Sequence, residues 1–347
     1  MRINAKKKII IVGGGWYGLY SALLLKDNYE IVILEKNSDI FNNSSYYNQN
    51  RLHLGYHYPR SFPTREICLN GYDTFLNKFA ELVDSLDKNY YIIAKDSILD
   101  YPSYLAIFNA NEKYNHQIIK NTSIFSNIDG SILETNEKII NGDKAYKYFK
   151  DKIDDKLIKF NYKVEKISIA DDNKIIVNDE LEGDFLIDCT YNQLTLPTEK
   201  YCYELTISLV YKNMKCPDFG ALTCMDGDFF SIFPRNLDEN TYTLTHVKYT
   251  PLISSSNIED INNYILTEDT LKETIKNMEN EVFKYYKDFL KYFKYETYFT
   301  SYKCKKMSGS SSRDITIHNA NNIISVNCGK ITGIFALEEY LVEHFEL

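Results

Sequence analysis

The chain has 347 residues, 44% of them apolar and 25% charged, and its 40 Lys and Arg against 48 Asp and Glu give a formal charge of −8. That length suits two domains, or one large α/β unit with a second part embedded in it, and it buries a sizeable core without staples. The composition excludes collagen-like and disordered classes, and the lack of a basic stripe argues against nucleic acid as the main partner. The seven cysteines are Cys68, Cys189, Cys202, Cys216, Cys224, Cys304 and Cys328. Their odd number and the absence of a C-x-x-C pair read as a reduced, cytoplasmic set rather than a disulfide or zinc framework. No apolar run approaches the roughly 20 residues of a membrane span.

The basic start imitates a signal peptide, but its apolar run Ile9-Ile10-Ile11-Val12 stops at three glycines, too soon for an h-region. The run reads instead as a buried parallel strand. Gly13-Gly14-Gly15 follows, then a helix from about Tyr17 to Lys26, then a second buried strand over Glu30–Glu35. This is a β-α-β unit, with a right-handed crossover and parallel strands. From Lys36 to about Arg65 runs a long polar and aromatic loop, of the kind that is often functional. Helices are expected over Glu66–Leu86 and Gly142–Lys156, with short strands and turns from about Tyr90 to Asn141. Strands follow at Lys159–Ile169, Lys174–Val177 and Asp184–Thr190. From Tyr203 to Tyr249 apolar and polar residues alternate with period 2, which predicts an antiparallel sheet. Thr267 to about Tyr292 reads as a charged amphipathic helix, Ser308–Ser312 as a loop, Asn322–Asn327 as a last strand and Gly329–Phe345 as a final helix. The expected fold class is α/β. A discontinuous Rossmann-like domain (1–80, 142–200, 301–347) would carry an inserted antiparallel-sheet α+β domain for substrate (81–141, 201–300).

The chemistry starts at Gly13-x-Gly15-x-x-Gly18, between a strand and a helix. Gly13 permits the tight turn, Gly15 lets the backbone approach a pyrophosphate, and Gly18 lets helix and strand pack closely. The helix N-terminus adds N–H groups and a positive dipole end. Glu35 closes the second strand, where an acid binds ribose hydroxyls. An acid there also argues against a 2′-phosphate, hence against NADP.

With these residues and four further segments, the chain resembles the FAD-dependent oxidoreductases of the D-amino-acid oxidase superfamily. The segments are the loop Asn42–Tyr58, Asp188-Cys189-Thr190, Ser312-Arg313-Asp314-Ile315-Thr316-Ile317, and Gly329-Lys330-Ile331-Thr332-Gly333 before a helix. Within the loop, Asn48…His53-x-Gly55-x-x-Tyr58 looks like the 2-hydroxyglutarate and glycerol-3-phosphate dehydrogenase branch. Departures are Asn50 after the loop Asn, Tyr191 in place of the Gly of Ala-Thr-Gly, and the missing closing Gly-His-Gly. The resemblance implies FAD as cofactor, held by Gly13, Gly15, Trp16, Tyr17, Gly18, Glu35, Lys36, Ser44, Ser45, Asn48, Arg51, Leu52, His53, Val164, Thr190, Gly329, Lys330, Ile331, Thr332 and Gly333. It also implies a second helix N-terminus, at Ile331–Gly333, facing the flavin pyrimidine. There the helix dipole and Lys330 would stabilise the charge of a reduced flavin.

For catalysis the candidates are His53, His57, Arg60, Arg235 and Lys330. His53 and His57 lie four apart, but Gly55 and Pro59 argue against the helix that would make them a metal pair. His53 is the first choice for a flavin-proximal base or an attachment point. Arg60 and Arg235 offer bidentate forks to a carboxylate or phosphate, although a structural ion pair is the commoner fate of an Arg. Arg51 alternatively holds the loop shape. His246 lies on an alternating strand, facing either substrate or solvent, and Cys304 falls near where some amine-oxidising members attach flavin. Trp16, the single tryptophan, reads as a packing residue near the adenine. The expected activity is hydride removal by FAD from a C–N or C–OH carbon of a small polar, anionic substrate, with electrons passing to oxygen or another acceptor. The alternatives are a non-redox flavoenzyme of the sugar-mutase type and a nucleotide-binding protein without catalysis.

Overall fold

The computed structural model describes residues 6–121, 124–194, 200–214, 219–307 and 315–347. Cys216 and Ser312–Asp314 of the expected closing signature, with the Ser308–Ser312 loop, lie outside the described residues. The chain divides into two compact units: Met1–Tyr46, Asp143–Cys202 and Lys303–Leu347 form one, and Tyr47–Gly142 with Tyr203–Tyr302 the other.

In the first unit the strand Lys8–Val12, apolar and buried from Ile9 on, lies at the centre of a six-stranded sheet, paired in parallel with Glu30–Leu34 and with Phe185–Asp188. Ile158–Lys159 extends the sheet on one side; on the other come Ile323–Asn327 and then Thr316–Ala320, the one antiparallel edge strand. Because side chains alternate across a strand, Ile10 and Val12 face one way and Ile9 and Ile11 the other. The first pair packs with Val32, Leu34 and Leu186 against a three-stranded antiparallel sheet through Ile175, Val177 and Leu181. On the other face Ile11 meets the helix Trp16–Leu25, which packs against the closing helix Gly333–Phe345; Tyr20 Oη donates to Glu338 at 2.8 Å. Strands buried on both faces explain the unbroken apolar runs.

The second unit is built on a mixed sheet in the order Pro251–Ser255, Tyr201–Asn213, Thr241–His246, Phe230–Asn236, Ala221–Met225, Asn89–Ala94, Ile128–Thr135 and His116–Ile119; Phe293–Lys306 pairs with Tyr201–Asn213. Along that order Ala221–Met225 and Asn89–Ala94 run parallel and the other neighbours antiparallel. The period-2 pattern sorts its side chains. Leu222, Cys224, Ile232 and Leu244 pack under Met278 and Val282 of the helix Glu268–Tyr285. Thr223, Ser231 and Thr243 point to the opposite face, and all three are buried.

The expected boundary near residue 80 is replaced by one after Tyr46. The loop contributes a short strand, Arg51–Leu52, that pairs with Lys138–Ile140 and ties residues 47–80 into the second unit. The helix after it spans Phe62–Phe79, four residues earlier than expected at its start, because Pro63 serves its first turn. The expected strand over Lys159–Ile169 forms only at Ile158–Lys159 and Ile167–Ile169, and the long amphipathic helix breaks after Tyr285, with a separate turn at Phe289–Tyr292. Among the elements the sequence does not announce are the helix Tyr101–Asn109, opened by Asp100 capping Ser103 N–H and by Pro102, and the strand Phe293–Lys306.

Candidate functional site

In the first unit the turn between strand and helix is shaped by close approaches. Gly13 has φ +110°, and a Cβ there would lie 2.9 Å from the Cys189 carbonyl oxygen. At Gly18 a Cβ would fall 1.9 Å from the Gly13 carbonyl oxygen, and at Gly15 it would lie 2.6 Å from Ser45 Oγ. Gly15 is also the N-cap of the helix and brings no capping side chain. Ser45 supplies an acceptor instead, taking the Trp16 N–H at 3.0 Å. The helix therefore opens on backbone N–H groups and a positive dipole end, the environment that suits a phosphate.

Glu35 is buried beside this turn. Its Oε2 accepts the Gly14 N–H at 2.7 Å, and its Oε1 accepts the Asn37 backbone and side-chain N–H groups at 2.9 and 2.6 Å. Three of about four carboxylate acceptor positions are filled, which leaves one on Oε2 for a hydroxyl from outside. Trp16 is packed between Phe41, at 5.6 Å, and Phe149, at 5.0 Å and edge-on. Tyr17 Oη donates to the Lys330 carbonyl at 2.6 Å, which ties the first helix to the Gly329–Gly333 turn. Burial first, then Cys328, push its phenol well above the ordinary range, so it stays a donor. A Cβ on Gly333 would lie 2.4 Å from that hydroxyl. The turn thus lies against the first helix, Thr332 is buried, and Lys330 is half-buried.

The other cofactor candidates of this unit divide. Thr190 N and Oγ1 both donate to Asp188 Oδ1, at 2.8 and 2.6 Å. Lys36 Nζ reaches Gln193 at 3.3 Å on the surface, Ser44 bonds its neighbour Asn43, and Val164 packs on the apolar cluster behind the sheet. Tyr191, standing where the resembling family has Gly, takes φ 65°, and Asn50 takes φ 52°. Both departures fall in the left-handed region, where Gly is the unstrained choice and Asn the next. Cys304 is buried with the amides of Asn192 and Asn327 donating to its sulfur, each at 3.7 Å; burial pushes its thiol up to about 12, so it is no nucleophile at neutral pH.

Asn48, Arg51, Leu52, His53 and the remaining catalytic candidates except Lys330 belong to the second unit. Asn48 Oδ1 accepts the Asn50 N–H and closes the turn into the short strand, where Leu52 is fully buried. Arg51 lies on the polar face of the sheet, its side chain only 1% exposed. It donates to Tyr91 Oη at 2.7 Å, Thr223 Oγ1 at 2.9 Å and Ser231 Oγ at 2.7 Å, and lies 3.5 Å from Glu137, over the Phe233 ring. Nearby Gln49 donates to Thr243 Oγ1 at 3.2 Å. His53 Nδ1 lies 3.7 Å from Glu137 Oε1, and the His57 ring stands 5.3 Å from that of His53.

Glu137 is wholly buried, and burial alone would raise its pKa. His53, the Arg51 charge and the Tyr91 hydroxyl outweigh that and hold it down to about 2. Sequence reasoning missed Glu137, which sits in a turn with no local signature. Thr223 and Ser231 were findable, because they are the polar members of the alternating strands.

Arg60 and Arg235 part company. The Arg60 guanidinium is taken by the protein's own Asp226, with Nε to Oδ2 at 2.7 Å and Nη2 to Oδ1 at 3.4 Å. Arg235 lies over Phe299 at 4.6 Å and Tyr47 at 5.8 Å. His246 does not face solvent: it is 3% exposed, burial lowers its pKa, and its Nδ1 accepts the Lys248 N–H at 3.1 Å.

Residues 11–66 match the model of an NAD(P)-binding Rossmann-like domain. The chain is 29% identical to the FAD-dependent monooxygenase FPY4 of Fusarium mangiferae over 337 residues, 96% of this chain and 89% of that protein. It is 28% identical to the FAD-dependent monooxygenase kojA of Aspergillus flavus, over 99% of this chain and 86% of that one. Among solved structures, glycine oxidase from Geobacillus kaustophilus superposes with a TM-score of 0.73 at 10% identity, covering 97% of this chain and 95% of that one. The L-α-glycerophosphate oxidase of Mycoplasma pneumoniae, solved with FAD bound, gives 0.73 at 14% identity, covering 98% and 95%.

Two predictions follow from this geometry. Gly15→Val drives a side chain into Ser45 Oγ and the helix opening, so the purified variant retains under a tenth of the wild-type complement of bound dinucleotide, read by absorbance, while its circular dichroism is kept. Glu137, with its folded pKa depressed, contributes stability that is present above the ordinary carboxylate pKa and is lost as pH falls toward about 2. The loss amounts to roughly 3 kcal/mol, and it appears as a urea midpoint that falls more steeply between pH 5 and pH 2 in wild type than in Glu137→Gln. The expected fold is borne out over nearly the whole chain by the likeness to glycine oxidase and L-α-glycerophosphate oxidase, and in sequence the chain is similar to FAD-dependent monooxygenases.

Proposed function

We propose that this FAD-dependent redox enzyme removes a hydride from a C–N or C–OH carbon of a small, polar, anionic substrate. The observation that carries the flavin is the glycine cradle. Its space is closed to a side chain at Gly15, it opens on a helix N-terminus, and beside it Glu35 keeps an acceptor position. The chemistry a bound flavin would supply is that of a two-electron acceptor for the hydride, with oxygen or another acceptor as the final oxidant. Gly13, Gly15 and the first turn of the helix would hold the pyrophosphate and Glu35 a ribose hydroxyl, with Trp16 packed between Phe41 and Phe149 beside them. The Gly329–Gly333 turn, tied to Tyr17, would offer its helix start and Lys330 to negative charge on a bound flavin.

His53 is the candidate base in this reading. As the hydride leaves carbon, one proton of the substrate's hydroxyl or ammonium group moves to the imidazole, and a carbonyl or iminium remains. Arg235, held over two aromatic rings, supports an anionic substrate. The redox names of the relatives and neighbours favour this chemistry over the sugar-mutase and binding-only alternatives. The odd number of cysteines without a C-x-x-C pair supports a cytoplasmic setting; among the described residues no helix is long and apolar enough to cross a membrane.

The relatives' names favour a second reading, monooxygenation, in which an external two-electron donor reduces the flavin, one atom of O2 enters the product and the other leaves as water. Anaerobic mixing with amino acids, amines and hydroxy acids separates the two. Hydride removal bleaches the flavin without NADH or NADPH, whereas monooxygenation needs the reductant and places oxygen-18 from O2 in the product. In the first case His53→Ala lowers the bleaching rate about 10²–10⁴-fold with the flavin spectrum retained; an unchanged rate removes His53 from the mechanism.

A further inference from the structure

Glu137 joins the strand Ile128–Thr135 to Lys138–Ile140, and it faces His53 in two ways at once. Its Oε1 accepts the N–H groups of Leu54 and Gly55, at 2.8 and 3.3 Å, the two residues that follow His53. The same oxygen lies 3.7 Å from His53 Nδ1. One carboxylate therefore fixes both the backbone that carries the ring and the edge the ring turns inward. Its other oxygen is occupied by Tyr91 Oη, at 2.6 Å, and faces Arg51 at 3.5 Å. Glu137 cannot swing away without breaking that set. The His53 side chain remains 20% exposed while Nδ1 is buried.

We propose that Glu137 is the positioning residue for His53, holding the imidazole with a protonated Nδ1 turned toward its Oε1 and leaving Nε2 as the nitrogen that takes the substrate proton. This rests on the reading of His53 as the base. At 3.7 Å the pair is an electrostatic contact, longer than a hydrogen bond, and such pairs tighten when substrate binds. On proton transfer the substrate loses H⁺ to Nε2, the imidazolium forms beside an anionic carboxylate, and the proton later returns to solvent. Fixing the tautomer and stabilising the imidazolium are what an orienting carboxylate does for a catalytic His.

Other groups modulate the effect. Arg51 opposes it from beyond the carboxylate. The His57 and Tyr58 rings lie 5.3 and 5.6 Å from the His53 ring. His57 Nδ1 lies 3.5 Å from the Arg51 guanidinium, a place for an acceptor and not for a second cation. Asp226 is paired with Arg60.

The test is a ¹⁵N-histidine NMR titration of the flavin-loaded enzyme, alongside the pH profile of kcat/KM. In wild type His53 shows the Nδ1–H tautomer. In Glu137→Gln its pKa and the acid limb of kcat/KM both fall by at least one pH unit, a tenfold change in acidity, and Glu137→Asp restores part of the shift. An Nε2–H tautomer in wild type, or a limb and titration that ignore Glu137→Gln, overturns the proposal. If Glu137→Gln fails to fold, the wild-type tautomer alone decides. His53→Gln with full activity and an unchanged profile would instead overturn the reading of His53 as a base, while the tautomer still reports whether Glu137 orients the ring.

Discussion

The first unit depends on one close approach, the seating of Gly18 against the carbonyl of Gly13. A Cβ at residue 18 would fall 1.9 Å from that oxygen, so only glycine lets the helix Trp16–Leu25 start where the strand Lys8–Val12 ends. From that seating follow the exposed N–H groups of the first turn, the reach of Gly14 N–H to Glu35, and the contact of Tyr17 with the Lys330 carbonyl. The two helix starts of the unit are thereby tied together by side chains of one helix. A larger residue at 18 would disturb the helix start, the Gly14–Glu35 bond and the closing turn together.

The second unit solves a different problem. One face of its sheet is ordinary core, packed under the helix Glu268–Tyr285. The other buries Thr223, Ser231 and Thr243, polar side chains that need partners. Arg51 and Gln49 from the loop provide them. Burying the Arg51 cation in turn requires an anion, and Glu137 is that anion; removing one member of such a pair leaves a costly uncompensated charge. The loop residues on either side of His53 are therefore held by the same network that satisfies the sheet. A network of this kind suits the proposed hydride transfer, where position contributes more than acid or base strength.

Much of this was legible in the residues. Short unbroken apolar runs gave the parallel strands, because strands covered on both faces have no polar side to show. The glycine spacing and Glu35 marked the cradle, because the chemistry there is carried by the backbone and by consecutive positions. Alternation marked the antiparallel sheet, and it held the polar face in plain view as Thr223, Ser231 and Thr243. What stayed hidden depended on long-range pairing. Glu137 meets Arg51 across 86 residues, Asp226 meets Arg60 across 166, and neither has a local pattern. The boundary at Tyr46 was hidden for the same reason, since it is set by the pairing of Arg51–Leu52 with Lys138–Ile140. His246 was misjudged because alternation gives the side of a strand but not what covers it.

The most direct measurement of the central claim is the visible absorption spectrum of the purified protein, taken as isolated and after incubation with FAD and removal of the excess. The account predicts the two flavin bands, near one flavin per chain, together with quenching of the Trp16 fluorescence on FAD uptake by the stripped protein. A colourless protein that takes up no added FAD would contradict it and leave the glycine turn to NAD or to structure alone.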